Sequence, residues 1–283
     1  MTQKPEIMKT RKPSVAGQFY PGNKQELDKL LDDIIDKEKG QIKTELASKN
    51  IIGAVAPHAG YVFSAYQAVH VFQIMKEHAT QFDTIFIINP NHSGMGNDLA
   101  YDGNDYWETP YGKIEIDKDF AETMNLPVSD IEQSREHSGE VMVPLLQRFL
   151  NYNFKIAPVT MTMQTYSNAY ELANKIFNAN KKLNKNIFII ASSDFSHFVT
   201  PKTGQEQDQL VIDKIKANQA EEVEKVIRKH NISVCGYGPI MTLMEYSKLV
   251  TENPKNEVLK KGCSGDVIPS NEVVDYVSFL FHS

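Results

Sequence analysis

The sequence predicts a single-domain α/β/α sandwich with a mostly parallel central sheet. Short apolar runs alternate with amphipathic helical runs along the 283 residues, which is typical of βαβ units. The apolar runs show no polar alternation, as expected for strands that helices cover on both faces. No internal repeat and no Gly/Ser-rich linker divides the sequence, so we expect one domain over residues 1–283.

The first elements can be placed in chain order. Three prolines without periodicity predict an irregular N-terminal arm over residues 1–22. The apolar spacing then predicts four elements: a helix from Lys24, a strand over 51–56, a helix over 64–78 and a strand over 84–89. Turn signals at Asp102-Gly103 and Pro110-Tyr111-Gly112 predict an inserted hairpin within 98–116.

The second half of the sequence continues the alternation. Two more buried strands are expected over 154–161 and 186–192, with a helix near 166–180 between them. The remaining elements are helical segments between 205 and 229, a helix from Gly238 to Leu249, and β-rich runs at 257–268 and 273–281.

Composition and charge exclude several classes of protein. Hydrophobic residues make up 41% of the chain and charged residues 23%, which excludes collagen-like, coiled-coil and largely disordered proteins. A net charge of −6 leaves no basic excess for binding phosphates, so we expect no nucleic-acid partner. No apolar run approaches a membrane span, and no secretory h-region is present. We expect a soluble cytoplasmic protein with reduced thiols at Cys235 and Cys263 and no membrane partner.

Three histidines lie in the loops that follow predicted buried strands. They are His58, His92 and His197. Ligands bind beyond the carboxyl ends of strands in open parallel sheets, because loops from several strands converge there. Imidazole nitrogens bind Fe, Zn, Cu and Ni. The three histidines together therefore predict a metal or catalytic site, although for each one alone a hydrogen-bonded structural role is the favoured interpretation.

Other candidates lie close to predicted helix starts or to these histidines. Cys235 precedes a helix whose N-terminal amides would stabilise a thiolate, although a single cysteine is more often a small buried apolar residue. His137 precedes another helix, where Glu140 would complete a capping box if His137 were the N-cap. Asp194 can be a turn residue, a group that orients a histidine, or a ligand. The remaining histidines and Cys263 are expected to be structural.

Seven ordered blocks of this sequence resemble the MEMO (mediator of cell motility) family, including its members of the AmmeMemoRadiSam system protein B type. The likeness extends almost from end to end, and its specificity comes from the number and order of the blocks. They are Val15-Ala16-Gly17 with Phe19-Tyr20-Pro21, Pro57-His58-Ala59-Gly60-Tyr61, Asn89-Pro90-Asn91-His92, Glu136-His137-Ser138 with Glu140, Ser192-Ser193-Asp194-Phe195-Ser196-His197, Cys235-Gly236 with Pro239, and Ser264-Gly265-Asp266.

The resemblance implies a fold similar to the catalytic subunit of class III extradiol dioxygenases, with a non-haem iron site at the strand ends. Carried over to this sequence, it implies His58, His92 and Cys235 as metal ligands. It also implies His137 and His197 as acid/base or supporting groups, with Asp194 close to the reaction but outside the ligand set. AMMECR-type and radical SAM proteins are the partners that the resemblance implies.

A thiolate appears where the dioxygenases have a carboxylate ligand, so ring cleavage does not transfer automatically to this chain. We expect a mononuclear Fe(II)-dependent oxidoreductase, with Cu or Zn as other candidate metals, acting on an unidentified small molecule or peptide. The alternative is a non-catalytic module that binds a peptide or protein in the same cleft. A zinc hydrolase is the weaker third hypothesis.

Overall fold

The computed structural model describes residues 8–283. The predicted arm over residues 1–22 therefore lies partly outside the described residues. From Met8 onward the arm contains one short strand and a bridge between Ala16 and Tyr20. Within residues 8–283, no helix combines the length and the apolar character needed to cross a membrane.

Eight α-helices occur in the described part of the chain. Their bounds are α1 Lys24–Glu38, α2 Tyr61–Glu77, α3 Lys118–Met124, α4 Met142–Phe149, α5 Tyr166–Leu183, α6 Pro201–Lys216, α7 Ala220–His230 and α8 Tyr237–Val250. Side-chain caps start several of them: Asn23, Thr165 and Thr200 accept backbone N–H groups of the first turns of α1, α5 and α6. Two short 3-10 helices cover Thr44–Ser48 and Ser264–Asp266.

Twelve strands form two sheets in residues 8–283. Their bounds are β1 Thr10–Arg11, β2 Ile51–Ala56, β3 Thr84–Pro90, β4 Leu99–Asp102, β5 Tyr106–Thr109, β6 Gly112–Glu115, β7 Val128–Ser129, β8 Lys155–Met161, β9 Ile187–Ser192, β10 His197–Val199, β11 Lys255–Cys263 and β12 Val273–His282. Nine strands make the central sheet in the order β10-β12-β2-β9-β3-β8-β4-β7, with β11 also paired to β12. The small sheet has the order β1-β5-β6.

The central sheet confirms the predicted α/β class and is mixed in direction. The four strands at its centre, β2, β9, β3 and β8, are parallel to one another. On one side β12 runs antiparallel to β2, and on the other β4 runs antiparallel to β8. Antiparallel neighbours can be joined by short connections, as β11 and β12 are, and need no covering helix. The parallel centre is the part that the continuous apolar runs predicted.

Helices cover both faces of the parallel centre. The chain moves in one direction across the sheet from β2 through α2 to β3, and in the other direction from β8 through α5 to β9. Crossovers are right-handed, so α2 and α5 lie on opposite faces. α1 and α4 pack against α2, whereas α8 packs against α5 and against β2, β9 and β3. Buried side chains from all eight helices join one hydrophobic cluster.

Gly53 in β2 permits the close approach of α8 to the sheet. A Cβ atom at this position would lie 2.4 Å from Leu243 Cδ1 and 2.6 Å from the Ile189 carbonyl oxygen. The absence of a side chain lets the α8 leucine pack directly on the strand. This packing fixes the height of α8 above the strands whose ends carry the candidate site.

Some predicted elements differ from the structure. The helix expected over 64–78 begins earlier, at Tyr61, directly after Gly60, and ends at Glu77. The hairpin expected within 98–116 is β5 and β6, with Thr109 paired to Gly112 across the predicted Pro110-Tyr111 turn. β4, which also lies within 98–116, is not part of this hairpin and pairs with β8 in the central sheet. The short elements α3, β7 and β10 were not expected, since they carry too few residues to show a period.

Candidate metal centre

Three histidines meet at the carboxyl ends of the parallel strands. His58 follows β2, His92 follows β3, and His137 comes from the loop before α4. One ring nitrogen or more of each lies within 4.8 Å of a nitrogen of the other two. The centroid of the His58 ring is 5.4 Å from that of His92 and 5.4 Å from that of His137. His58 is buried, His137 is half-buried and His92 is exposed, so the cluster opens toward solvent on the His92 side.

His58 is held by groups that follow β9, the strand between β2 and β3. Its backbone N–H donates to Asp194 Oδ1 at 2.7 Å, and the Ala59 N–H approaches the same oxygen at 3.3 Å. Its Nδ1 lies 2.8 Å from the hydroxyl oxygen of Ser192, the last residue of β9. The side chains that follow β2 and β9 are therefore tied together at the sheet edge.

His92 and His137 share one carboxylate, that of the buried Glu136. Glu136 Oε1 lies 2.9 Å from His92 Nδ1 and 3.4 Å from His137 Nδ1. Glu136 Oε2 accepts the backbone N–H of His92 at 2.7 Å. The Phe19 ring packs on the other side of His137, with ring centroids 4.7 Å apart. The N-terminal segment thereby forms one wall of the site.

Cys235 lies beside His58 but outside the three-histidine group. Its Sγ is 3.0 Å from His58 Nε2, and it accepts the backbone N–H of Asp194 at 3.2 Å. Asp194 Oδ2 is 3.9 Å from the same His58 nitrogen. Cys235, Asp194 and His58 therefore form one contact group on the buried side of the cluster. Both cysteines of the chain, Cys235 and Cys263, are free.

His197 lies outside the three-histidine group. Its Nδ1 lies 2.8 Å from the carbonyl oxygen of Ser233, and its backbone N–H donates to the Ser233 hydroxyl. Next to it, Phe198 has a left-handed backbone with φ of 55° and is 74% exposed. A bulky residue in this conformation is strained, which is common at functional sites. His197 itself is half-buried.

Burial and charge set the protonation of the cluster. Burial, followed by the charges of the neighbouring histidines, holds the pKa of His58 well below its ordinary value. Burial also lowers the pKa of His137. For His92, the hydrogen bond and charge of Glu136 overcome the opposing effect of burial and raise the pKa. At neutral pH His58 and His137 are neutral imidazoles, the form that binds metal.

The two remaining candidates in the site are shifted toward their neutral forms. Burial raises the pKa of Asp194 to about 6. Burial and the charge of Asp194 raise the pKa of the Cys235 thiol well above its ordinary value. The helix that follows Cys235 was expected to favour a thiolate, yet desolvation outweighs the helix amides here. A bound cation would reverse this balance, since a coordinating thiol is deprotonated.

The predicted capping role of Glu140 is wrong. α4 begins at Met142, beyond the reach of a capping box at His137. The buried Glu140 carboxylate instead forms an ion pair with Arg11 at 2.7 Å and accepts hydrogen bonds from Ser14 and Tyr20. It anchors the N-terminal segment that carries Phe19 to the wall of the site.

The three imidazoles fit the requirements of a metal ion. Nitrogen ligands bind Zn²⁺ at about 2.0–2.1 Å, which places the nitrogens of a tetrahedral site about 3.4 Å apart. Nitrogens within 4.8 Å of one another reach this spacing through small side-chain rotations. The three-histidine cluster can therefore hold a metal ion.

Glu136 and Ser192, which contact the outer nitrogens of the histidines, had no role predicted from the sequence. Glu136 immediately precedes His137, and Ser192 ends a predicted strand, so both lie in motifs already connected with the site. Orienting groups of this kind carry no spacing rule, because their partners come from distant parts of the chain.

An α/β sandwich with three imidazoles at the ends of its parallel strands defines a class of proteins with a candidate metal centre. The family profile described as Memo-like protein matches residues 11–280. The chain belongs to the Memo-like family, which confirms the resemblance seen in its sequence.

Several relatives support this assignment, and one solved structure has a similar fold. A MEMO1 family protein from Methanobrevibacter smithii is 37% identical, covering 96% of this chain and 99% of the relative. One from Methanococcus maripaludis is 36% identical, covering 95% and 99%. One from Nitrosopumilus maritimus is 32% identical, covering 96% and 99%. The crystal structure of an uncharacterized protein from Escherichia coli K12 aligns with a TM-score of 0.52 at 11% identity, over 75% of this chain and 91% of that chain, and shares the fold.

Proposed function

We propose that this protein is a mononuclear metal-dependent oxidoreductase that uses Fe(II) at the three-histidine cluster. The observation that supports this proposal is the convergence of His58, His92 and His137 at one point of the sheet edge. Imidazole is a good ligand for Fe, Cu and Zn, and iron supplies Lewis-acid and one-electron redox chemistry when bound.

The ligand set that we propose contains His58 and His92, with Cys235 as the sulfur ligand implied by the family resemblance. His137 lies as close to His58 and His92 as they lie to each other within the 4.8 Å group, so it joins them as a nitrogen ligand. The Cys235 sulfur, 3.0 Å from His58 Nε2, is placed to complete the coordination after losing its proton.

We propose that the remaining polar residues position the ligands and move protons. Asp194 holds the backbone of His58 and has a pKa of about 6, so it can exchange a proton near neutral pH. His197 engages Ser233 through Nδ1, which leaves Nε2 free to give or take a proton from an incoming substrate. A cytoplasmic location would keep Cys235 reduced.

Metal analysis after purification without oxygen tests this proposal. We expect about one Fe per chain in the unaltered protein and less than about a tenth of that in His58→Ala, His92→Ala and His137→Ala. His78→Ala is the matched control, because His78 contacts Ala47 on a distant helix end. Full iron retention in all three site variants, or no metal in the unaltered protein, would overturn the proposal.

The exposed Phe198 favours a second candidate function, the binding of a peptide or protein in the same cleft. A strained aromatic side chain that is 74% exposed is a suitable contact for a partner. AMMECR-type and radical SAM proteins are the partners to test. Under this proposal, binding persists after chelation and in His92→Ala but is lost in Phe198→Ala.

The histidine triad also favours zinc hydrolysis as a third candidate. Three histidines with an open fourth position are a catalytic zinc ligand set. Turnover of a test ester that survives iron removal and requires added Zn²⁺ would support this function.

A further inference from the structure

Glu136 determines which nitrogen of the neutral His92 ring carries the hydrogen, because the two groups must pair a donor with an acceptor. A carboxylate has acceptors only. Its Oε1 lies 2.9 Å from His92 Nδ1 and also accepts the N–H and the hydroxyl of Ser138 at 2.9 and 2.7 Å. The hydrogen of the neutral His92 ring is therefore on Nδ1, which leaves the lone pair on Nε2. The same oxygen is 3.4 Å from His137 Nδ1, an electrostatic contact without a hydrogen bond.

Ser192 determines the tautomer of His58 by the same reasoning. A hydroxyl carries a single hydrogen. Ser192 donates that hydrogen to the Ser138 carbonyl oxygen at 2.7 Å. The contact of 2.8 Å between His58 Nδ1 and Ser192 Oγ must then have the imidazole as its donor. His58 also keeps its lone pair on Nε2, the nitrogen beside Cys235.

Ser138 connects the Ser192–His58 contact with the Glu136–His92 contact. Its carbonyl oxygen accepts from Ser192, while its N–H and hydroxyl donate to Glu136. All three outer nitrogens therefore belong to one chain of contacts that runs from His58 through Ser192, Ser138 and Glu136 to His92 and His137. Glu136, Ser138 and Ser192 are fully or almost fully buried, so water does not compete for these contacts.

We propose that this Ser192–Ser138–Glu136 chain is the device that positions the metal centre by holding Nε2 of His58 and His92 free for one ion. The inference rests on the proposed metal site. A metal binds the unprotonated nitrogen, so a histidine in the other tautomer must first move its hydrogen from Nε2 to Nδ1. Groups that orient ligands in this way contribute about 10–100-fold to metal affinity.

Glu136→Gln and Ser192→Ala interrupt the chain at two separate points. Both carboxylate oxygens of Glu136 accept hydrogen bonds. In either orientation of the glutamine amide, its NH2 group would therefore meet a hydrogen-bond donor in place of an acceptor. Ser192→Ala removes one oxygen and frees the His58 ring. Glu132→Gln is the matched control: this carboxylate is equally buried on the same segment but accepts from Asn97 and not from a candidate ligand.

Two measurements test the proposal, both on the full chain. Competition titration with Co²⁺ should show affinity about 10–100-fold weaker in Glu136→Gln and Ser192→Ala, with Glu132→Gln unchanged. Nitrogen NMR of the metal-free protein should place the hydrogen on Nδ1 of His58 and His92, and Ser192→Ala should release this preference at His58 alone.

The outcomes separate this inference from the proposed function. Hydrogen on Nε2 of either histidine in the unaltered protein, or equal Co²⁺ affinity in all variants, overturns the inference while the metal site stands. Failure of the unaltered protein to bind Co²⁺ or Fe²⁺ overturns the proposed function, and the NMR result still decides whether the chain of contacts sets the tautomers.

Discussion

The Sγ atom of Cys235 lies 3.0 Å from His58 Nε2, the nitrogen that the Ser192 contact leaves free. This relationship places a sulfur next to a candidate metal ligand. If the sulfur coordinates, a cation at the cluster removes the thiol proton, and the protein acquires a thiolate–metal bond.

We predict that the Co²⁺-loaded protein shows a sulfur-to-metal charge-transfer band that Cys235→Ser abolishes. The three histidines keep the ion in this variant, with affinity reduced about 10–100-fold. Ultraviolet–visible titration measures both effects. Cys263→Ser is the control, because the Cys263 side chain, at the end of β11, caps the 3-10 helix Ser264–Asp266. An unchanged band in Cys235→Ser would exclude the sulfur from the coordination shell.

We predict that Gly236→Ala displaces Cys235 from His58. A Cβ atom at residue 236 would lie 2.2 Å from the Ser192 carbonyl oxygen and 2.6 Å from Ser193 Cβ, both in the chain that ends β9. The backbone at the end of β9 can move only at a cost in free energy. We therefore expect Gly236→Ala to lower the free energy of unfolding by about 1–3 kcal/mol and to weaken Co²⁺ binding.

Denaturant unfolding and metal titration of the same samples check the Gly236→Ala prediction. Gly40→Ala is the control, since nothing lies within 4 Å of a Cβ atom there. Equal stability and equal affinity of the two variants would show that the loop before α8 has room to adjust.

We predict that Glu140→Ala lowers the free energy of unfolding by about 3–5 kcal/mol, because it leaves the buried Arg11 charge without its partner. The exposed Lys12–Glu108 pair is the control, and Glu108→Ala should cost less than about 1 kcal/mol. Urea denaturation of both variants measures the difference. Similar losses in the two would mean that water reaches Arg11.

We predict that the Asp208→Asn variant loses less stability than the unaltered protein as the pH rises from about 4 to about 7. Burial, and then the charge of Asp208, raise the pKa of Asp275 to about 7, and burial also raises the pKa of Asp208. The folded state therefore holds a proton that the unfolded chain releases near pH 4. The stability of the unaltered protein should fall as the pH rises from about 4 to about 7.

An asparagine at residue 208 keeps the acceptor for the Ser196 N–H and donates its amide hydrogens to Asp275. Melting temperatures at about pH 5 and about pH 8 check the Asp208→Asn prediction. We expect the variant to melt at a higher temperature than the unaltered protein at about pH 8. Asp213→Asn, on the same helix but exposed, should show no such gain. A gain of the same size at both pH values would contradict the shared-proton explanation.

Local patterns in the sequence were sufficient for the parallel centre of the sheet and for two of the three clustered histidines. Residues 51–56 and 84–89 are continuous apolar runs, and a strand buried on both faces needs that composition. His58 and His92 follow those strands, so the rule that parallel strands end at one edge brought them together without knowledge of the fold.

Other features depended on contacts between distant segments. His137 and His197 were given the same roles from the sequence, yet His137 joins the cluster and His197 turns to Ser233. Glu140 was assigned to its own helix and instead pairs with Arg11, 129 residues away in sequence. Neither outcome follows from spacing along the sequence, because each depends on contacts with segments that are distant in the chain.

The sequence by itself determined the strand runs, the strand ends and the residues that stand there, since these follow from burial and period along a single segment. Tertiary structure decided which imidazoles share a point in space, and which nitrogen of each is free. Those properties arise from the groups behind each ring, Glu136, Ser138 and Ser192, which approach from different parts of the chain.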